Sequence, residues 1–101
     1  MPVIHLSLAR LSSYCKVSEN EIIEKIPYLG IDIEDISGDL LSVEYSPNRP
    51  DFSSEAGIAR SLKGLLGIET GPPEYSFPKS KFSISVSGDE IRKVRPVVRG
   101  L

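Results

Sequence analysis

Arg49, Arg60 and Lys63 are the side chains of this 101-residue sequence whose type and spacing best suit chemistry. They sit in and just beyond the run Ser46-Pro47-Asn48-Arg49-Pro50-Asp51. Cations in such a row can make charge-assisted contacts with phosphates of a nucleic acid or with acidic groups of a partner. The same residues admit a purely structural use. Asp51 is an obvious partner for Arg49 or Arg60, and a planar guanidinium suits a two-point lock on a carboxylate. One arginine locked and the other facing outward satisfies both readings.

Catalytic chemistry finds no comparable support. Asp32 and Glu34 resemble a carboxylate pair, but they alternate with Ile31 and Ile33, which assigns them to the solvent face of a strand. His5 is the only histidine and lies on a short apolar run, with no recognisable Ser or Cys nucleophile arranged beside it. Cys15 is the only cysteine, so it forms no internal disulfide, and His5 alone does not complete a zinc site with it. No Gly-rich phosphate loop separates a strand from a helix. The expectation is therefore no catalytic residue, no metal ligand and no cofactor within this sequence.

The elements that must position the cations follow from periodicity. Val3–Leu6 reads as a strand, and a helical turn from Ser7 or Leu8 carries Leu8, Leu11 and Cys15 on one side. Ser18-x-x-Glu21 is a capping box that opens a helix with Ile22, Ile23 and Ile26 inward. Pro27 should tighten its last turn and Gly30 should stop it. Ile31–Ile33 and Leu41–Tyr45 alternate as antiparallel strands around Ser37-Gly38-Asp39. Ile36 has the wrong parity, which predicts a bulge or an early strand end near Asp35.

The corner then bends the chain. Pro47 and Pro50 force Ser46 and Arg49 to be extended, Asn48 suits a turn, and Asp51 or a following serine can cap the next helix. That helix, Ser54–Leu66, buries Ile58, Ala59, Leu62, Leu65 and Leu66. Gly57, Ser61 and Gly64 form a stripe of small residues beside the apolar one. Each glycine costs a helix about 1 kcal/mol relative to alanine. The stripe either packs against the first strand or the proline-rich crossing, or docks against another domain or subunit. Gly67–Lys79, with Gly71, Pro72, Pro73 and Pro78, should cross extended, and Phe82, Ile84 and Val86 alternate with Ser83 and Ser85 as a half-buried strand. The fold class is α+β, a small mixed or antiparallel sheet with helices packed on one face.

Several of these features together resemble the N-terminal domain of the phenylalanyl-tRNA synthetase beta subunit of archaeal and eukaryotic type. They are Met1-Pro2-Val3-Ile4, Leu29-Gly30, the acidic hairpin from Ile31 to Tyr45, the Pro47-Asn48-Arg49-Pro50-Asp51 corner, Gly57, Ala59-Arg60, and Leu66-Gly67-Ile68-Glu69. The closing run Val94-Arg95-Pro96-Val97-Val98-Arg99-Gly100-Leu101 resembles that family's junction to the next domain. Ser46 and Ser53 depart from the family's threonine and leucine, and the junction is shorter than usual. The resemblance implies a non-catalytic module spanning 1–88, with 89–101 the start of a truncated editing domain. It implies a parent ligase that charges tRNA(Phe) with phenylalanine using ATP and Mg2+, assembled from two alpha and two beta subunits.

Composition bounds the alternatives. One domain with 40% hydrophobic and 26% charged residues is ordinary for a soluble globular chain. No apolar run approaches the roughly 18 residues of a membrane span, and the N-terminus lacks a signal-peptide layout, so the cytoplasm is expected. A net charge of -2 and a pI near 5.4 argue against an autonomous nucleic-acid binder. From Ser18 to Glu44 eight acids face Lys25 alone, while Arg92, Lys93, Arg95 and Arg99 make the tail basic. RNA contact is therefore expected from the corner, its helix or the tail. A free-standing tRNA-binding domain and a small regulatory protein derived from the synthetase domain stay as rival readings.

Overall fold

β1 (Val3–Ser7) runs straight into α1 (Leu8–Cys15), and Ser7 is the hinge between them, its hydroxyl accepting from the Arg10 N–H at 3.1 Å. In this computed structural model residues 1–85 and 87–95 are described. α1 stops where Lys16 turns left-handed (φ 56°), and Ser18 caps α2 (Glu19–Lys25) by accepting from Glu21 N–H. Pro27 tightens the end of α2 into a 3-10 turn over Ile26–Leu29, and Gly30 stops it at φ 75°. A hairpin of β2 (Asp32–Ser37) and β3 (Leu40–Glu44) follows, with Gly38 at φ 59° in the tight turn. After the corner come a 3-10 turn at Pro50–Ser53, α3 (Glu55–Leu65) and, far along the chain, the short α4 (Asp89–Val94).

The sheet is antiparallel throughout, in the order β1-β3-β2. Its register shifts between Ile33 and Asp35, which is the bulge that Ile36's parity demands. The slip returns Ile36 to the face of Ile33, opposite Leu41, although at the sheet's edge it stays 43% exposed. Leu6, Leu41 and Val43 share the inward face and meet Leu8, Leu11 and Cys15 of α1, Ile22 and Ile26 around α2, and Ile58, Ala59 and Leu62 of α3. Phe52, from the 3-10 turn after the corner, is the largest fully buried side chain. The helices thus cover one face of the sheet and leave the other to solvent.

Two expectations need correction. Leu65 and Leu66 do not join the buried stripe of α3: Leu65 is 45% exposed and Leu66 only half-buried, because the chain turns away at Gly67 (φ 70°) and no element among the described residues covers that last turn. The strand expected over Phe82–Val86 is not formed by Phe82–Ser85, which are exposed and unpaired in any sheet; Val86 and residues 96–101 lie outside the described residues. The proline-rich crossing forms neither helix nor strand: bends mark residues 68–69 and 71–72, and Gly71 turns left-handed at φ 86°.

One polar cluster joins three elements distant in sequence. Asp39, in the hairpin turn, accepts from the Ser7 hydroxyl (2.7 Å) and the Ala9 N–H (2.7 Å), and its carbonyl accepts from Leu8 N–H. Glu55, in the first turn of α3, accepts from the Ser7 N–H at 2.9 Å and from Arg10 at two points. Of the N–H groups that open α1, those of Leu8 and Ala9 are satisfied by the carbonyl and carboxylate of Asp39, and that of Arg10 by the Ser7 hydroxyl. The Ser7 hydroxyl and then the Ala9 N–H hold the Asp39 carboxyl below its ordinary range. A depressed folded-state pKa stabilises the fold in full above the unfolded value of about 4, and that share is lost as pH falls through the folded value. Thermal melts followed by circular dichroism should show a Tm that is level above about pH 5 and falls in more acidic buffer. Asp39→Asn should lower the Tm at neutral pH and flatten the acid limb.

Candidate functional site

Where β3 ends, the corner is built one residue at a time. Tyr45 N–H still reaches the Pro2 carbonyl (3.1 Å), and Arg49 N–H then closes a turn onto the Ser46 carbonyl (3.0 Å) with Pro47 and Asn48 at its centre. Pro50 opens the 3-10 turn, Ser53 Oγ donates to the Pro50 carbonyl, and Ser54 caps α3 by accepting from Gly57 N–H at 3.2 Å. The cap is therefore the following serine, and Asp51 is released for another task.

That task is to hold Arg49. The guanidinium donates through Nε to Oδ1 (3.0 Å) and through Nη2 to Oδ2 (2.8 Å), a two-point pair, and its flat face lies 3.8 Å from the centre of the Phe52 ring. The arginine therefore grips its neighbour on one side and roofs the core's largest side chain on the other. The hydrogen bond from Arg49 lowers the Asp51 carboxyl and raises the guanidinium in turn. The field of Arg60 contributes the smallest part of the Asp51 shift. Arg49 is the structural arginine of the pair.

Arg60 is the outward one. It is exposed on α3 and, among the described residues, forms no ion pair. With Gly64 it lines a groove of about 450 Å³ against the crossing segment at Glu69–Gly71 and Pro73. A neighbouring hollow of about 300 Å³ adds Tyr14, Lys63 and Tyr75 to Arg60. Lys63 is not free: its ammonium bridges Glu69 at 3.1 Å across the end of the helix. The three cations thus separate into a lock, a groove residue and a helix-end bridge.

The small-residue stripe separates as well. A Cβ at Gly57 would collide with the Asp51 carbonyl, so this glycine admits the corner's backbone against α3. Its packing partner is the corner, where the sequence suggested the first strand or the crossing. A Cβ at Gly64 would meet only the Glu69 carbonyl, in ordinary contact at 3.9 Å, and Ser61 is half-buried between the two glycines.

Two features escaped the sequence. His5 Nδ1 lies 2.9 Å from Ser42 Oγ, a cross-strand pair on the sheet's open face that residues 37 apart do not announce. It overturns the view that no serine stands beside the histidine. The pair lies across the register of an open strand face, and it joins two strands. The acids at Glu55 and Asp39 were likewise invisible as partners of α1. Among the described residues no group of three or more His, Cys, Asp or Glu side chains could hold a metal ion.

No protein-family model matches the chain. Curated relatives do. The phenylalanine–tRNA ligase beta subunit of Methanosarcina acetivorans is 41% identical over 106 residues, covering all of this chain and 19% of the relative. Those of Methanococcoides burtonii and Archaeoglobus fulgidus are 38% and 40% identical over 97% and 99% of the chain, in each case 18% of the relative. The chain therefore spans about a fifth of the length of the curated relatives it matches. Among solved structures, an N-terminal fragment of the phenylalanyl-tRNA synthetase beta-subunit from Pyrococcus horikoshii superposes with a TM-score of 0.75. It is 28% identical, over 95% of this chain and 29% of that one.

The division of labour at the corner is testable by thermal melts. Gly57→Ala should destabilise, because the clash with Asp51 exceeds the helix propensity gained. Gly64→Ala should stabilise by up to about 1 kcal/mol. Arg49→Ala should lower the Tm, while Arg60→Ala should change stability by no more than about 0.5 kcal/mol.

Proposed function

Because this chain matches the N-terminal region of the archaeal phenylalanine–tRNA ligase beta subunits along its whole length, we propose that it is the non-catalytic, architectural module of such a subunit. The observation that carries this reading is the whole-chain match joined to the same fold. The chemistry of the corner supports it. Arg49 and Asp51 spend their charged groups on each other, and the Ser54 hydroxyl is spent on the Gly57 N–H, an arrangement that holds the corner's shape.

The parent then charges tRNA(Phe) with phenylalanine, using ATP and Mg2+. Among the described residues no group of three or more His, Cys, Asp or Glu side chains offers a cation site, and no Gly-rich loop at a helix start offers a triphosphate one. Both are assigned to other parts of the assembly. The partner is the alpha subunit, in a complex of two alpha and two beta chains in the cytoplasm. No helix among the described residues is long and apolar enough to cross a membrane. Arg60 is the residue placed to meet an acidic group of the partner or a phosphate of the tRNA, with Lys63 beside it once Glu69 releases it.

The 101-residue chain alone should give no phenylalanine-dependent ATP–pyrophosphate exchange, and signal above background would contradict the assignment. Removing residues 1–70 from the complete beta subunit should impair its co-purification with the alpha subunit. Unchanged assembly and charging would remove the architectural role. Tight tRNA binding by the isolated chain, falling steeply with salt, would favour a nucleic-acid-binding domain instead.

A further inference from the structure

Among the described residues, the apolar side chains after Gly67 stand outside the core and are largely exposed. Tyr75 (68%), Phe77 (91%), Phe82 (80%), Ile84 (57%) and Val94 (82%) are exposed, and Ile68 and Ile91 are about half so. Among the described residues every buried core side chain lies at or before Leu62. Exposed apolar residues are ordinary when single; so dense a run marks a surface that another body covers. The same segment explains the shape. The radius of gyration is 18.3 Å with a longest extent of 54 Å, against roughly 13 Å for a compact chain of this size.

The exposed residues are patterned. Phe82 and Ile84 alternate with Ser83 and Ser85, giving one apolar and one polar side, as a half-buried strand requires. From Lys79 to Ser87 there is no proline, so each residue keeps the N–H that a sheet ladder uses. α4 then places Ile91 and Val94 three residues apart on one face, both uncovered. A strand-length ribbon followed by an amphipathic turn of helix is half of a packing unit.

The other half is not the sheet of this module. The β2 edge carries Asp32, Glu34, Asp35 and a bulge, the devices that keep a further strand away. On β1 the Ser7 N–H is already bonded to Glu55. We propose that residues 79–94 are the first strand and helix of the next folding unit of the same polypeptide. There they dock by sheet pairing, with Phe82 and Ile84 facing that unit's core. The boundary between units then falls in the crossing at Gly71–Pro78, ahead of the position near Gly88 that the sequence suggested. This rests on the reading that the chain belongs to a longer beta subunit, and the relatives, of which it covers 18–20%, supply the length of chain needed.

Hydrogen–deuterium exchange read by mass spectrometry tests it, on the 101-residue chain and on the complete beta subunit. Peptides covering 79–85 should exchange at the open-chain rate in the isolated chain. In the complete subunit they should slow by on the order of 100-fold, while β1 and β3 behave alike in both. Open-chain exchange in both samples would overturn the proposal. So would protection already present in the isolated chain, which, with a dimeric mass, would assign the ribbon to a second copy. Phe82→Asp together with Ile84→Asp in the complete subunit should restore fast exchange at 79–85 and leave β1 and β3 protected. The architectural reading fails separately, through alpha-subunit assembly after loss of residues 1–70, a deletion that leaves 79–94 in place.

Discussion

Asp51 is held from three directions, and the rest of the module depends on it. Its carboxylate is clamped by Arg49, its carbonyl receives the Ser54 hydroxyl at 3.4 Å, and the same carbonyl presses onto the bare backbone of Gly57. These contacts fix the angle at which the sheet gives way to α3. At that angle Phe52 points into the core and Ile58, Ala59 and Leu62 follow it. A side chain at position 57 or a loosened Asp51 would move all four together. Burying a ring of this size contributes several kcal/mol, a large fraction of the margin by which a small domain stays folded.

The corner works because the opposite end of α3's first turn is tied down as well. Glu55 reaches back to Ser7 and Arg10, and Ser7 is shared with Asp39 in the hairpin turn. One serine thus meets acids from two elements more than thirty residues away. The arrangement binds the hairpin, the first helix and the third into one body, and it makes α1 sensitive to acid. Exposed ion pairs of this sort are individually weak. Their weight here comes from satisfying N–H groups at a helix start that would otherwise lack partners.

Local rules made much of this legible. The Ser18 cap, the stop at Gly30, the tightening at Pro27 and the bulge beside Asp35 all follow from neighbours within a few residues. The core stripe of α1 was equally plain, since Leu8, Leu11 and Cys15 repeat at helical spacing. What escaped was long-range or conditional. The His5–Ser42 and Ser7–Asp39 pairs depend on how strands are ordered, which periodicity does not encode. Leu65 has the spacing of a core residue but no element above it. The alternation at Phe82–Ser85 is a strand pattern without a neighbouring strand, so the pattern alone does not make the structure. At the corner, residue types revealed the lock, but which arginine formed it was decided by the two-residue reach from Arg49 to Asp51.

Backbone nitrogen-15 relaxation across residues 47–54 tests the rigidity of the bend most directly. A rigid bend gives order parameters near 0.85, equal to those of α3, with no dip between the hairpin and the helix. Values below about 0.6 at Asn48–Phe52 alongside an ordered α3 would contradict it. The corner would then be a loose tether, and the module would have to draw its shape from elsewhere.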